Sequence, residues 1–158
     1  MDRTKYNICK DISRRMCDGI IFDSELEMRY YRDVIKPKYL SGEISYYELQ
    51  KKYILQEKFE HNGKSVLPIT YVADFYIEYA DGTSAVLDTK GNPDSVAKIK
   101  RKLFWNKYPN IDYRWIVHVK KFGGWIDYEE CQKLRREEKK KKQQAEEKLL
   151  SAMESKEE

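Results

Sequence analysis

The chain is poor in the residues that build thiol and imidazole sites. Its 158 residues include three cysteines and two histidines. Cys9, Cys17 and Cys131 are an odd set with no zinc-ligand spacing. His61 and His118 are isolated. These scarcities count against structural zinc and against a Cys/His nucleophile. No apolar run is long enough to span a bilayer and no signal-peptide pattern is visible, so no membrane partner is expected. The expected location is the cytoplasm, with reduced thiols. Nothing calls for an organic cofactor. A one-sided charge is also missing: Lys+Arg number 31 against 27 Asp+Glu, for a formal net charge of +4. The basic residues are clustered, however, which suits an anionic partner such as nucleic acid.

What is present suffices for one core. Hydrophobic residues make up 41% and aromatics 13%. The division expected is a domain over 1–135 and a charged tail over 136–158. The thirteen tyrosines either fill strands or form a half-wet surface that stacks on bases and sugars. The charged run begins at the boundary, Arg135-Arg136-Glu137-Glu138-Lys139-Lys140, and the tail carries few apolar residues before Leu149 and Leu150. It reads as a solvated helix or a disordered segment, with a nucleic-acid-gripping arm as the sharper alternative.

Residues 1–22 are basic and take no assignment. A helix is expected from about Ser24 to Lys36, ending near Pro37. Tyr46–Phe59 reads as one or two strands, and Asn62-Gly63 as a hairpin turn. Ile69–Tyr79 and Ser84–Lys90 read as strands joined at Asp81-Gly82. Asn92 is placed to cap the next helix, with Pro93 at its first position and Tyr108 near its end. Tyr113–Val119 alternates as a strand, and Asp127 with Glu130 can cap a last helix. The expected order is α-β-β-β-α-β-α, an α/β fold with helices packed on a mixed sheet.

The two central strands each carry unexpected charge. In a strand, side chains two apart share a face, so Asp88 and Lys90 project together. Asp74 can join them from the neighbouring strand. It stands among Tyr71, Val72, Ala73 and Phe75, where an unpaired carboxylate costs several kcal/mol. One reading makes Asp74 a water-facing or lysine-paired aspartate. The other has two carboxylates and a lysine hold a hard divalent cation and position an attacking water.

Glu27 is a third candidate acid. At about 100° per residue, Leu26, Tyr30, Tyr31, Val34 and Ile35 form one apolar arc that includes Glu27. Glu25 falls on the opposite face with Arg29 and Arg32. Ser24 and Glu27 also fit a capping box, and both roles can hold at once. In the following helix, Val96, Ile99 and Leu103 read as a core stripe. Lys98, Arg101 and Lys102 then point outward, either solvated or on phosphates. Lys100 projects between Val96 and Leu103, as a snorkelling lysine or as a second lysine reaching the site.

Taken in order, Phe22-Asp23-Ser24-Glu25-Leu26-Glu27, Glu48-Leu49-Gln50, Tyr71-Val72-Ala73-Asp74-Phe75, Asp88-Thr89-Lys90-Gly91 and Lys98-Ile99-Lys100-Arg101-Lys102 resemble the PD-(D/E)XK nuclease superfamily. They are similar to its phage-encoded, Holliday-junction-resolvase-like members, over residues 20–119 or so. Ala73 stands where the name-giving motif has proline. The resemblance implies a restriction-endonuclease-like core, with a four-stranded mixed sheet flanked by helices in the order α-β-β-β-α-β. It implies a Mg²⁺-dependent phosphodiesterase in which Mn²⁺ substitutes, and often a homodimer. Asp74, Asp88, the Thr89 carbonyl and Glu27 would hold metal, with Lys90 and Lys100 catalytic and Lys98, Arg101 and Lys102 on DNA. The expected activity is endonucleolytic cleavage of branched DNA in phage recombination or genome processing, within the host cytoplasm. The alternatives are a sequence-tolerant nicking or transposition nuclease, and a non-catalytic nucleic-acid-binding module.

Overall fold

The computed structural model describes residues 11–154. Cys9 and the tail beyond Glu154 lie outside the described residues. The chain divides into two compact units, Met1–Ile116 and Val117–Glu158.

A 3-10 turn at Ile12–Arg15 leads into a small ribbon, β1 (Met16–Cys17) and β2 (Ile20–Ile21), in the stretch without a sequence assignment. Its turn is Asp18-Gly19, both at positive φ, as a two-residue hairpin requires. Helix α1 (Glu25–Tyr30) begins where Ser24 accepts the Glu27 N–H. The helix does not end at Pro37. A π turn at Tyr31–Ile35 passes directly into α2 (Lys36–Leu40). Pro37 falls directly after the π turn, where the helix continues although proline supplies no N–H.

Strand β3 (Ile44–Gln56) follows, then the ribbon β4 (Phe59–His61) and β5 (Lys64–Val66) around the expected Asn62-Gly63 turn. Strand β6 (Ile69–Tyr79) turns at Asp81-Gly82 into β7 (Ser84–Thr89). Helix α3 (Ser95–Lys107) is the crossover to β8 (Asp112–Val119), which lies parallel to β7. A 3-10 turn at Lys120–Phe122, β9 (Gly124–Asp127) and α4 (Tyr128–Glu154) complete the described chain.

The class is mixed α/β, but the expected four strands and the order α-β-β-β-α-β do not match. The main sheet has five strands, β3-β6-β7-β8-β9, and two further ribbons interrupt the order. Short hairpins of two or three residues per strand carry no alternation long enough to read from sequence.

The core of the first unit centres on Ala73, Phe75 and Ile77 of β6 and Ala85, Val86 and Leu87 of β7. Tyr30 packs edge-on against Phe75 at 5.5 Å between ring centres. Phe104 of α3 is fully buried among Tyr53, Tyr71, Tyr108 and Tyr113. Truncating such a phenylalanine costs about 3–5 kcal/mol. The expected α3 stripe is corrected by this packing. Val96 and Ile99 are 51% and 59% exposed, while Arg101 and Phe104 are the buried residues of the helix. The N-cap is also displaced: Asp94, not Asn92, accepts the Ala97 N–H at 2.8 Å.

In the second unit His118 packs against Trp125 at 4.7 Å, and Lys121 pairs with Glu138. Helix α4 runs unbroken through residue 135, and its described side chains from 135 onward are exposed. Among the described residues no helix is long and apolar enough to cross a membrane.

One backbone feature stands apart. Gln50, in the middle of β3, has φ +55°. For a residue of its kind that conformation costs on the order of 1–3 kcal/mol.

Candidate active site

Asp74 and Asp88 meet where β6 and β7 part. The ladder between these strands runs from Glu78↔Ser84 to Phe75↔Leu87 and stops. One residue further, side chains fill the gap. Asp88 Oδ1 accepts the Asp74 N–H at 3.1 Å. Asp74 Oδ2 accepts the Thr89 N–H at 2.7 Å and the Thr89 hydroxyl at 3.0 Å. Each carboxylate thus satisfies an N–H that the parted strands cannot pair. The exchange holds the two acids side by side.

Asp88 is fully buried. Four donors make this tolerable. Besides the Asp74 N–H, Tyr71 donates to Oδ1 at 2.5 Å and Tyr113 to Oδ2 at 3.0 Å. The Lys90 ammonium lies 2.8 Å from Oδ2, as the shared strand face predicts. Trp115 Nε1–H in turn fixes the Tyr113 hydroxyl at 2.9 Å. Sequence reasoning assigned no role to either tyrosine. Their only signal was position: Tyr71 lies three residues before Asp74 in β6, and Tyr113 lies opposite Val86 in the parallel pair.

Glu27 arrives from α1 and is 7% exposed. The capping role is met at Ser24, and the carboxylate also lies near enough to Asp74 for its charge to act there. The Ser24 hydroxyl accepts the Glu27 N–H at 3.1 Å and donates to Oε1 at 2.9 Å. The other oxygen, Oε2, accepts from Gln50 Nε2 at 3.3 Å. Burial pushes the Glu27 carboxyl up to about 7, although the Ser24 hydrogen bond opposes the shift. Asp74 is held well above the usual carboxylate range, first by burial and then by the charges of Asp88 and Glu27. Burial works against the charge on Lys90, but Asp88, Asp74 and Glu27 outweigh it and raise the ammonium's proton affinity. The charges of three carboxylates therefore act on one half-buried lysine.

A cavity of about 310 Å³ opens beside Asp88 and Lys90. Val96, Ala97 and Lys100 of α3 line it, with Thr70, Val72 and Tyr113. Lys100 is thus brought to the rim of the site, although the stripe used to place it there is exposed. Lys98 and Lys102 are exposed. Arg101 is corrected: it does not point outward to phosphates. It is 7% exposed, its guanidinium 4.2 Å from the Trp115 ring and 4.4 Å from the Trp105 ring. Periodicity treats arginine as polar, whereas two indoles can bury its flat cation.

The family model described as "Protein of unknown function (DUF1064)" matches residues 3–124, about three quarters of the chain. The chain belongs to this family. No curated protein matches it. The DUF1064 match contains Glu27, Gln50, Asp74, Asp88, Lys90 and Lys100, and ends before α4.

Among the described residues of this DUF1064 protein, no three His, Cys, Asp or Glu side chains form a ready-made metal cluster. The donor chemistry nevertheless fits a hard cation. The available groups are carboxylate oxygens and the Thr89 carbonyl, which suit Mg²⁺ or Mn²⁺ better than zinc. Burial, and after it the charges of Asp88 and Glu27, raise Asp74, and a bound cation would offset both. Four partners fill the Asp88 carboxylate, so an ion held there would have to displace one of them, and Lys90 is the cation among them.

Proposed function

We propose that the chain is a Mg²⁺-dependent endodeoxyribonuclease of PD-(D/E)XK type, acting on branched DNA. The observation that carries this reading is the convergence of Asp74, Asp88 and Lys90 where two strands part, with Glu27 delivered from a helix. The parallel β7–β8 pair joined by α3 supports a nuclease-like core. Asp74, Asp88 and the Thr89 carbonyl would hold the ion, and Glu27 a second ion or its water. Bound there, magnesium supplies Lewis acidity to a phosphodiester whose unaided hydrolysis is very slow.

The chain's own groups do the rest. Lys90, released from Asp88, neutralises charge developing on the phosphate. Glu27, with a proton affinity near neutrality, is suited to orient the attacking water and accept its proton. Tyr71 and Tyr113 hold Asp88 in one orientation. Lys98 and Lys102 offer exposed cations for flanking phosphates, and Lys100 one nearer the chemistry. The test is Mg²⁺-dependent cleavage of linear, flap and four-way DNA. Cutting of the branched substrates over the linear one supports the reading. No cutting of any of them counts against it and favours a binding module.

A further inference from the structure

We infer that Gln50 is a positioning residue that holds Glu27 in the candidate active site. Its catalytic consequence rests on the nuclease reading; the contact itself does not. Among the described residues, three non-glycine positions have positive φ: Asp18 at 52°, Asn62 at 48° and Gln50 at 55°. Asp18 and Asn62 each precede a glycine in a two-residue hairpin turn, where the turn type demands it. Their short side chains also tolerate it.

Gln50 has neither reason. It lies mid-strand, with Leu49 opposite Phe75 before it and Lys51 opposite Ala73 after it. That register sets Gln50 across from Asp74, a pair the ladder omits. Packing does not demand the conformation either, because the side chain is exposed. What the turn of the backbone achieves is aim. It directs the amide Nε2 to Glu27 Oε2 at 3.3 Å. Ser24 holds one Glu27 oxygen from its own helix, and Gln50 holds the other from the sheet. The plane of the carboxylate is thereby set beside Asp74 and Lys90. A local distortion that re-aims a side chain next to an active site is a recognised use of strand irregularity.

The experiment compares wild type, Gln50→Gly, Glu27→Gln and the double variant. Glycine accepts the backbone conformation and removes the exposed side chain that carries the amide. Cleavage of branched DNA with Mg²⁺ is expected to lose roughly tenfold to hundredfold in kcat for Gln50→Gly, with KM unchanged. The double variant should be no slower than Glu27→Gln alone. Wild-type turnover by Gln50→Gly overturns the inference, as does a double variant slowed by the full product of the two losses. Thermal melts of the same four proteins read the contact without any nuclease. Non-additive shifts are expected, and additive shifts overturn the contact. A wild-type protein that cleaves nothing, yet shows the coupling in its melts, refutes the nuclease reading and leaves the Gln50–Glu27 link standing.

Discussion

Raising the pH should destabilise the metal-free protein, against the usual behaviour of carboxylates. Glu27 has an ordinary value of 4.5 when exposed and about 7 in the fold. Between those values the folded state keeps a proton that the unfolded chain releases. Stability therefore falls as pH rises through this window and levels off above it. The difference corresponds to about 3 kcal/mol at 1.36 kcal/mol per pH unit. Asp74, raised for the same reasons, acts in the same direction. For a chain of this length the loss is roughly 6–12 °C in Tm. Thermal melts at pH 5 and pH 8 in EDTA measure it. Glu27→Gln keeps the shape and removes the titration, so it should melt higher than wild type at pH 8 and close to it at pH 5. Mg²⁺ should restore more stability at pH 8 than at pH 5, because there it meets the unneutralised carboxylates. A Tm that stays level or rises from pH 5 to pH 8 refutes the reasoning. So does a Glu27→Gln protein with the full wild-type drop.

Lys100→Met should lower turnover well beyond its effect on DNA affinity, whereas Lys98→Met and Lys102→Met should mainly weaken binding; kcat and Kd measured together separate the two classes. Arg101→Ala should destabilise the fold by about 2 kcal/mol or more, through loss of its place between Trp105 and Trp115, and urea denaturation reads it. Deleting residues 136–158 should leave the melting transition in place, since their described side chains are exposed and the Lys121–Glu138 pair is a surface contact. The same deletion should flatten the salt dependence of DNA binding if the lysine run contacts phosphates.

The acids of the site are legible in the sequence because each breaks a local rule. Asp74 and Asp88 are charges in strand-forming runs, and Glu27 is a charge inside an apolar arc; all three are buried or nearly so. The Asn62-Gly63 turn is legible because a two-residue hairpin demands those residue types, and Asp81-Gly82 because a longer hairpin loop places a glycine, Gly82, at its left-handed position. The face of α3 is not. Val96 and Ile99 obey helical spacing yet stay exposed, while Arg101 is buried by aromatics that approach from β8 and from its own helix. Such a partnership is long-range and leaves no periodic trace. The continuation of the first helix past Pro37 depends on a π turn, and the five-strand sheet on short elements, neither of which hydropathy encodes. The left-handed backbone of Gln50 is equally invisible, since glutamine carries no preference for it.

Under the proposed function, Asp74, Asp88 and Lys90 form a metal-dependent phosphodiesterase site. Its most direct measurement is cleavage of four-way DNA by wild type, Asp88→Asn and Lys90→Ala in Mg²⁺, with DNA binding followed in parallel in Ca²⁺. Wild-type cleavage that EDTA stops is expected, with no cleavage by either variant and binding retained by both. Cleavage at the wild-type rate by either variant, or wild-type cleavage that survives EDTA, would contradict it.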